Sequence, residues 1–229
     1  MQAQSLFSWP ESLPFKQYFP IDCYPWKWIP SISIALNSID FSQKPSKVNV
    51  PRGVFIEKNV WLDNSVQLPY YACIHGPTWI GPGTIIRPGC YIRGNVIVGA
   101  NSILGNSCEY KNCLLMNNVK TAHFNYVGDS ILGNETHLGA GVILANLRFD
   151  KKEVLVESLK NRLFSGLKKL GAIIGDSAEV GCNSVLQPGT ILGKHSLVMP
   201  SLSYGGFLSE NSIALASSYK KIKVLKRRF

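Results

Sequence analysis

Aliphatic side chains recur at every sixth position through most of this 229-residue chain. The first run is uninterrupted and comprises Ile56, Leu62, Leu68, Ile74, Ile80, Ile86, Ile92, Val98 and Leu104. The pattern returns in a shifted frame at Leu132, Leu138 and Leu144, and again at Ile174, Val180, Leu186, Leu192 and Val198. Two positions before each of them stands Val, Ala, Thr, Cys or Ser. A period of six is neither helical nor that of an alternating strand, so it indicates a repeat unit larger than a turn.

A hexapeptide repeat of this kind describes a short flat strand followed by a corner. Three such units close a triangular coil, and neighbouring coils stack at the inter-strand spacing of roughly 4.8 Å. The aliphatic residue fills the axis, the small residue lies where the chain bends, and Gly, Asn or Asp accept the corner conformation. The sequence therefore predicts an all-β fold, a left-handed parallel β-helix. A sandwich of regular hairpins would instead show turn signals at wider intervals than every sixth position.

Both ends of the chain fall outside the repeat. Residues 1–46 are rich in aromatic residues and proline, and we expect a short helix over residues 31–39. Because the first coil of a solenoid exposes an open axis and an unpaired edge, we expect this N-terminal segment to cap it. The β-helix is expected over 47–200. A basic C-terminal tail is expected over 201–229, with a helix from about Ser209 onward.

Two interruptions divide the repeat. Between Leu104 and Leu132 the frame is offset by four positions, which predicts an irregular stretch near residues 117–130. The second interruption is an insertion loop over 147–170 with seven basic side chains: Arg148, Lys151, Lys152, Lys160, Arg162, Lys168 and Lys169. A loop of that length within a tight solenoid is usually functional or disordered, since the coils do not need it.

Charge and cysteine content bound the class of protein. The net charge of +10 is concentrated in the insertion and the tail, and neither is interleaved with aromatic residues that would stack on single-stranded nucleic acid. A solvated surface or a small phosphorylated ligand explains these charges, so we expect no nucleic-acid partner.

Cys90 and Cys108 fall one coil apart at the small position, as stacked core residues in a reducing compartment would. No apolar run approaches the length of a membrane-spanning helix, so we expect a cytoplasmic protein with no membrane partner.

Polar residues gather around the two interruptions, and there the sequence resembles a known family. The segments EYKN (109–112), KTAHFNYVGDSILG (120–133), HLGAGVILANLRFD (137–150) and KKLGAIIGD (168–176) are similar to the acetyltransferase domain of GlmU-like proteins. They are more similar still to its archaeal sugar-1-phosphate relatives, which carry the long insertion. The resemblance covers about residues 50–200. It implies transfer of acetyl from acetyl-CoA to the amine of an amino-sugar 1-phosphate, glucosamine 1-phosphate first among them.

The resemblance also implies roles for individual residues. His123 falls on the family's general base, and an imidazole, with an ordinary pKa near about 6.5, suits removal of an amine proton near neutrality. Asn146 corresponds to the asparagine beside the acetyl group, where it orients the base or the thioester. Tyr126 falls on a sugar or phosphate contact, and Lys111 on a phosphate-binding lysine.

Coil stacking suggests a partner for Lys111. Arg93 precedes Lys111 by three hexapeptide units, hence it lies one coil below on the same face, and a guanidinium beside an ammonium makes a phosphate clamp. Arg87 is a rival, but it precedes Lys111 by four units and hence lies on another face. For both arginines the alternative is a solvated wall.

Further contacts are implied in and around the insertion. Lys152 and Lys169 match insertion lysines that reach the ligand in the archaeal relatives, although solvated loop lysines explain both equally well. Ala140 and Gly141, with the preceding glycine, would let the pantetheine arm of the cofactor lie close against the coil. His137 stands at a sugar-binding position where the bacterial enzymes usually have asparagine, and this leaves the exact sugar open.

The family's architecture adds expectations about assembly and cofactors. Because its members build their sites from neighbouring chains, we expect a homotrimer. No metal is expected, since the closely spaced histidine pair of zinc-binding β-helix enzymes is missing. The Gly-rich nucleotidyltransferase loop of the bifunctional relatives does not occur in residues 1–46, so no nucleotidyl transfer is expected. Two alternatives stay open: an acyltransferase for another amino sugar or sugar nucleotide, and a non-catalytic trimeric scaffold.

Overall fold

The structure, a computed structural model, describes residues 1–43, 47–158 and 161–216. These residues form one α-helix, α1 (Trp28–Asn37), four 3-10 turns and short β-strands. The 3-10 turns are Ala3–Ser5, Lys16–Tyr18, Pro25–Lys27 and Phe41–Gln43. The strands are β1 (Gly53–Ile56), β2 (Val60–Leu62), β3 (Tyr71–Ile74), β4 (Thr78–Ile80), β5 (Ile85–Ile86), β6 (Tyr91–Ile92), β7 (Val96–Val98), β8 (Ile103–Asn106), β9 (Glu109–Lys111), β10 (Cys113–Leu115), β11 (Lys120–His123), β12 (Tyr126–Gly128), β13 (Ile131–Leu132), β14 (His137–Leu138), β15 (Ile143–Leu144), β16 (Leu155–Glu157), β17 (Arg162–Phe164), β18 (Ala172–Ile174), β19 (Glu179–Val180), β20 (Val185–Leu186), β21 (Thr190–Leu192), β22 (Leu197–Val198), β23 (Ser203–Tyr204), β24 (Phe207–Leu208) and β25 (Ile213–Ala214).

Three parallel sheets form the walls of a prism. Wall A is β1-β3-β6-β9-β12-β15-β20-β23, wall B is β2-β4-β7-β10-β13-β18-β21-β24, and wall C is β25-β22-β19-β14-β11-β8-β5. Consecutive strands of the chain pass from wall to wall, and each pairs with the strand one coil away. The predicted left-handed parallel β-helix is confirmed.

The axis is filled as the repeat predicts. The hexad aliphatics from Leu62 to Val198 are buried, except the partly exposed Leu68, and belong with the small residues to one continuous core. Cys90 and Cys108 are both 1% exposed, and both are free thiols. The expectation that they are stacked core residues is therefore confirmed.

The frame shift comes from shortened corners. Tyr91 pairs with Glu109, which follows it by three full hexads, whereas Val96 pairs with Cys113, which falls one position short of three hexads. Coils shortened by one position continue through the middle of the prism, as the pairing of Lys120 with His137 shows. One residue has been lost at the corner between β9 and β10.

A second shortened unit lies one coil above. In this unit the axial residues Val127 and Leu132 are one position closer in sequence than a full hexad. The same holds for Tyr110 and Leu115 in the first shortened unit, and all four side chains are buried in the axis. The prediction of an irregular stretch near 117–130 is therefore wrong, because β11 and β12 continue the walls there. Two units that are each one position short of a hexad explain the offset without any excursion of the chain.

Over residues 1–43 the N-terminal segment covers wall B of the prism. Its aromatic residues, among them Phe7, Trp26 and Trp28, are buried in one cluster with outward-facing residues of wall B. Those wall B residues are Trp79, Ile97, Leu114, Met116, Ile131, Ile173 and Ile191. Helix α1, which confirms the expected helix, packs on β7 and β10. The packing that the structure describes for the N-terminal segment is thus on this wall, whose outward-facing residues are apolar.

The insertion folds into a hairpin that lies on the same wall. Strands β16 and β17 pair antiparallel, with Val156 opposite Leu163. Val154, Val156 and Leu170 are fully buried in the cluster that contains the N-terminal aromatics. The insertion is therefore ordered over its described residues, and it joins the N-terminal segment in sealing wall B.

The β-helix extends beyond the predicted boundary at residue 200. Strands β23, β24 and β25 add a further coil, in which Leu208 pairs with Leu192 although it falls two positions short of three hexads after it. This coil is shorter than its neighbours, so Leu208 and Ala214 miss the hexad frame. Ile213 and Ala214 form a strand, and the helix predicted from Ser209 is absent as far as residue 216. The basic residues of the tail, from Lys220 onward, lie outside the described residues. Among the residues described, no helix has the length and apolar character needed to cross a membrane.

Candidate active site

His123 lies at the corner where wall C turns into wall A, at the end of β11. Two buried polar side chains anchor this corner from within the axis. Thr121 shares a 2.6 Å hydrogen bond with the phenol of Tyr110, and the side-chain amide of Asn125 donates to the carbonyl of Gly139 at 2.8 Å. With the backbone fixed on both sides, the His123 side chain is left exposed on the outer surface.

Arg87 reaches His123 from two coils below. Its Nη1 lies 3.3 Å from His123 Nε2 and 3.4 Å from the carbonyl oxygen of Ala122. A guanidinium can only donate, so Nε2 accepts, and a neutral imidazole then carries its proton on Nδ1. Arg87 is not stacked under Lys111, and the structure instead places it beside the predicted base.

A second polar cluster occupies the corner between walls A and B. Lys111 Nζ lies 3.2 Å from one carboxylate oxygen of Asp129 and 3.3 Å from the other. The side-chain amides of Asn112 and Asn146 donate to the same carboxylate at 2.8 and 2.5 Å. The Asp129 side chain is only 5% exposed. Lys111, Asp129 and Asn146 come from three successive coils, so the shortened corners bring them together.

Tyr126 links this cluster to the exposed face of wall A. Its hydroxyl oxygen accepts a hydrogen bond of 3.1 Å from the Asn146 amide. Burial raises the pKa of Tyr126, so the phenol stays protonated near neutrality. The ring lies over Gly128, where a Cβ atom would come 2.5 Å from the phenol oxygen. Glycine at this position therefore leaves room for the tyrosine.

The predicted phosphate clamp of Arg93 and Lys111 is already neutralised by carboxylates. Arg93 does stack one coil below Lys111, since its backbone N–H donates to the carbonyl of Tyr110. However, its Nη1 donates to Glu109 at 2.6 Å, and Lys111 is held by Asp129. Each cation of the pair has an anionic partner, whereas Arg87 contacts a neutral carbonyl and an imidazole. Stacking therefore predicts correctly that Arg93 lies one coil below Lys111, but it does not predict which arginine lacks a carboxylate partner among its described contacts.

His137 and Tyr126 lie on different walls. His137 is exposed on β14 of wall C, with Nδ1 3.8 Å from Glu179, beside a hollow of about 500 Å³ that Lys120 and Glu135 also line. Tyr126 faces outward from β12 of wall A. Adjacent walls of one triangular prism face away from each other. The structure does not bring these two predicted substrate contacts together within one chain.

Ala140 and Gly141 lie directly above His123. The Gly141 N–H donates to the carbonyl of His123 at 3.1 Å, and the Ala140 carbonyl accepts from Asn183 in the coil above. Gly141 has a φ of +74°, a conformation in which a side chain is strained. A Cβ atom at this position would also crowd the Asn183 side chain of the coil above. Glycine here leaves the surface beside His123 without a side chain.

The two insertion lysines are exposed. The backbone N–H of Lys152 donates to Asp150, which also pairs with Arg148 at 2.7 Å. Lys169 lies opposite Leu147, and the next residue, Leu170, donates its N–H to the carbonyl of Asn146 at 3.0 Å. The end of the insertion beside Lys169 is therefore tied to the backbone of Asn146.

The sequence prediction did not include Asp129 or Asn112, and it did not foresee the contact between Arg87 and His123. Asp129 lies inside the HFNYVGDS block, and an aspartate at a corner is ordinarily explained by turn geometry alone. A sharper signal is the shortened spacing of the axial residues on either side of it. Within the described residues, no group of three or more His, Cys, Asp or Glu side chains could hold a metal ion. Two hollows of about 580 Å³ each lie elsewhere, against the N-terminal segment.

Comparisons with known proteins show what the sequence is similar to. Residues 74–160 match the family described as the GMPPB C-terminal domain. A bifunctional sugar-1-phosphate nucleotidylyltransferase/acetyltransferase of Sulfurisphaera tokodaii is 35% identical over 193 residues, which are 80% of this chain and 47% of that protein. A bifunctional protein GlmU of Methanococcus maripaludis is 39% identical over 117 residues, 51% of this chain and 27% of that protein.

The chain spans about half the length of the first of these relatives and about a quarter of the second. A solved UDP-N-acetylglucosamine acyltransferase of Francisella novicida superposes with a TM-score of 0.39 and 14% identity, over 72% of this chain and 65% of that one. That superposition is too distant to bear on function. The predicted resemblance to GlmU-like acetyltransferases is confirmed by the sequence relatives.

Proposed function

We propose that this chain is an N-acetyltransferase that moves acetyl from acetyl-CoA to the amine of an amino-sugar 1-phosphate. The observation that carries the proposal is the contact between Arg87 and His123, which sets a cation beside a base on an exposed corner. The names of the relatives, which combine a sugar 1-phosphate with an acetyltransferase, support the substrate class. Glucosamine 1-phosphate is the first candidate.

His123 acts as the general base. The amine nitrogen attacks the thioester carbonyl carbon, a new N–C bond forms, and His123 takes the proton that the amine loses. The tetrahedral intermediate then collapses, the C–S bond breaks, and the thiolate of coenzyme A leaves with that proton. A positioned base contributes typically about 10²- to 10⁴-fold to such a step.

Arg87 binds the phosphate. In a 2-amino sugar 1-phosphate the amine and the phosphate ester are on adjacent carbons, so the cation that holds the phosphate must lie close to the base. Arg87 meets this requirement at 3.3 Å from His123, and it has no carboxylate partner among its described contacts. As the phosphate approaches, the guanidinium turns from the imidazole to the anion and frees the Nε2 lone pair for the amine.

Wall A supplies the sugar-binding surface and the corner above His123 the cofactor surface. Tyr126 and Asn146 present a hydroxyl and an amide to the sugar, with Lys111 fixed behind them by Asp129. The low surface at Ala140 and Gly141 accommodates the pantetheine arm of acetyl-CoA next to His123. Lys169, anchored near Asn146, is placed to meet the cofactor phosphates, and Lys152 to meet the sugar phosphate from outside.

The complete site is formed between copies of the chain in a homotrimer. Wall B is sealed by the N-terminal segment and the hairpin, so walls A and C remain for packing. A cleft between wall A of one copy and wall C of the next would bring Tyr126 and His137 to one ligand, which one prism cannot do. Such a cleft would also supply the enclosure that the open walls of a single chain lack.

The test is consumption of acetyl-CoA with glucosamine 1-phosphate and galactosamine 1-phosphate. A matched pair of variants, His123→Asn and His195→Asn, separates the base from a histidine exposed at another corner. We expect His123→Asn to lose activity by about 10²- to 10⁴-fold and His195→Asn to stay near wild type. An unaffected His123→Asn would overturn the proposal. Activity only on a sugar nucleotide would favour the second candidate, an acyltransferase of the same chemistry with another amino-sugar substrate.

A further inference from the structure

Asp129 occupies a rigid position between the proposed substrate-binding groups. Its backbone N–H donates to the Lys111 carbonyl at 2.9 Å, and its own carbonyl accepts from Gly171 at 2.8 Å. With φ at +47° it forms the shortened corner itself. The carboxylate is thus held from both sides by the backbone of the coil below and of the coil above.

This carboxylate determines which end of the Asn146 amide faces it. An ionised carboxylate only accepts hydrogen bonds, so each of its three side-chain partners must donate. Asn146 therefore turns its Nδ2 toward Asp129, at 2.5 Å, and toward the phenol oxygen of Tyr126, at 3.1 Å. The reverse orientation would set the amide oxygen against a carboxylate oxygen at the same distance, which is repulsive. The Asn146 oxygen is consequently left to point away from Asp129.

An outward amide oxygen can accept but cannot donate. In the proposed reaction two groups need hydrogen-bond partners. The tetrahedral oxyanion needs hydrogen-bond donors, and the attacking amine needs a hydrogen-bond acceptor for its N–H. Asn146 oriented in this way matches the amine N–H and not the oxyanion. Holding one amine hydrogen leaves the nitrogen lone pair free to face the thioester.

We propose that Asp129 is a positioning residue that fixes the Asn146 amide with its oxygen toward the substrate amine, so that Asn146 serves as a hydrogen-bond acceptor during attack. The proposal rests on the acetyltransferase function proposed above. Lys111 and Asn112 complete the support by neutralising and orienting the carboxylate. Asp129 touches no substrate atom and acts only through Asn146.

The main test is a set of three variants: Asp129→Asn, Asn146→Asp and the double exchange of both. In Asp129→Asn the new amide no longer dictates the orientation of Asn146, and we expect kcat to fall by about 10- to 100-fold with KM for acetyl-CoA little changed. Asn146→Asp places two carboxylates together and should be worse. The double variant restores one carboxylate and one amide, with an acceptor oxygen again available to the site, so it should recover kcat at least about fivefold over Asp129→Asn.

A matched control separates positioning from folding. Asp176 is another nearly buried aspartate, held by Lys194 at 3.3 Å and by Asn134. It lies at the corner between walls B and C, beside the N-terminal segment, whose Ser8 N–H donates to it. Asp176→Asn should lower the melting temperature with kcat unchanged. If Asp129→Asn keeps kcat within about twofold of wild type, or if the double variant is no better than Asp129→Asn, the positioning role is wrong.

A spectroscopic readout decides the geometry without any assay. The Asn146 side-chain NH₂ pair, assigned by its loss in Asn146→Asp, should exchange slowly with solvent in wild type, and should shift and exchange faster in Asp129→Asn. An Asn146 pair that exchanges freely in wild type would refute the orientation even if the enzyme is active. A protected pair in a protein that acetylates no amino sugar would instead refute the proposed function and leave the orientation standing.

Discussion

Arg87 Nη1 lies 3.3 Å from His123 Nε2, although the two residues are separated by two coils of the prism. The walls of a β-helix stack residues of successive coils directly above one another, and long side chains at a corner reach across them. This contact places a cation without a carboxylate partner among its described contacts next to the predicted base. It identifies Arg87, and not Arg93, as the arginine to test for phosphate binding.

Replacing Arg87 by Ala should raise KM for the amino-sugar phosphate by about 10- to 100-fold, because a hydrogen bond to a charged group contributes about 1.5–3 kcal/mol. The matched variant Arg93→Ala should change KM by less than about threefold, since that guanidinium is committed to Glu109 at 2.6 Å. Steady-state kinetics over a range of substrate concentrations measures both. Equal effects of the two variants would contradict the assignment.

Mixing two inactive variants should restore activity if the site is shared between copies. Tyr126→Ala and His137→Ala alter different walls of the same chain, so each copy keeps one intact wall. In randomly mixed trimers about a quarter of the clefts would combine two intact walls. Activity of co-refolded or co-expressed variants, compared with either one alone, provides the measurement. Light scattering on the wild type checks the trimer, and a monomer would remove the basis of this prediction.

Truncating Trp28 should destabilise the chain strongly. Its side chain is fully buried, stacks on Phe7 with ring centroids 5.1 Å apart, and donates its Nε1–H to the carbonyl of Pro20 at 2.8 Å. Trp28→Ala should lower the free energy of unfolding by about 3–5 kcal/mol in urea titrations. Tyr70→Ala, at a tyrosine that is 86% exposed, should change it by less than about 0.5 kcal/mol. A near-neutral Trp28→Ala would mean that the N-terminal segment does not hold wall B as described.

The cysteines should react with iodoacetamide in two classes. Cys182 is exposed, whereas burial raises the pKa of the Cys90, Cys108 and Cys113 thiols and keeps them protonated. Because the thiolate is the nucleophile, Cys182 should be alkylated in the native protein at neutral pH, and the three buried cysteines, out of six in the chain, only after unfolding. Peptide mass spectrometry before and after urea treatment reports the order. Alkylation of Cys113 in the native state would show that the coil around Asp129 opens.

Several parts of this molecule could be predicted because they repeat. Residues such as Ile80, Val98 and Leu138 each mark one side of a coil of the same prism, and nine successive hexads in one frame leave little room for another fold. The motif HFNYVGDS predicts that His123 is a site residue, and Thr121 and Asn125 anchor its corner from inside. Position along the chain was enough for these residues, since each depends on its own coil.

Other parts could not be predicted because they depend on corner length or on distant contacts. A corner shortened by one position moved Leu115 into the axis and Met116 out of it, where it packs under the N-terminal segment. The apolar outer residues of wall B, such as Trp79 and Ile97, were a signal that this wall is covered, but they do not say by what. They are covered by the N-terminal segment, which lies far before them in the chain.

The sequence by itself determined the prism, its axis and the coil that carries His123, since burial of one aliphatic side chain in six is a local and periodic requirement. Only the tertiary structure decided which charged groups meet. Arg87 contacts His123, Arg93 contacts Glu109 and Lys111 contacts Asp129. These pairs form across coils, and they depend on the length of each side chain and on where each corner lies relative to the corners above and below. Electrostatic partners depend on distances of a few ångströms in space, and a spacing rule along the chain fixes the wall but not the contact.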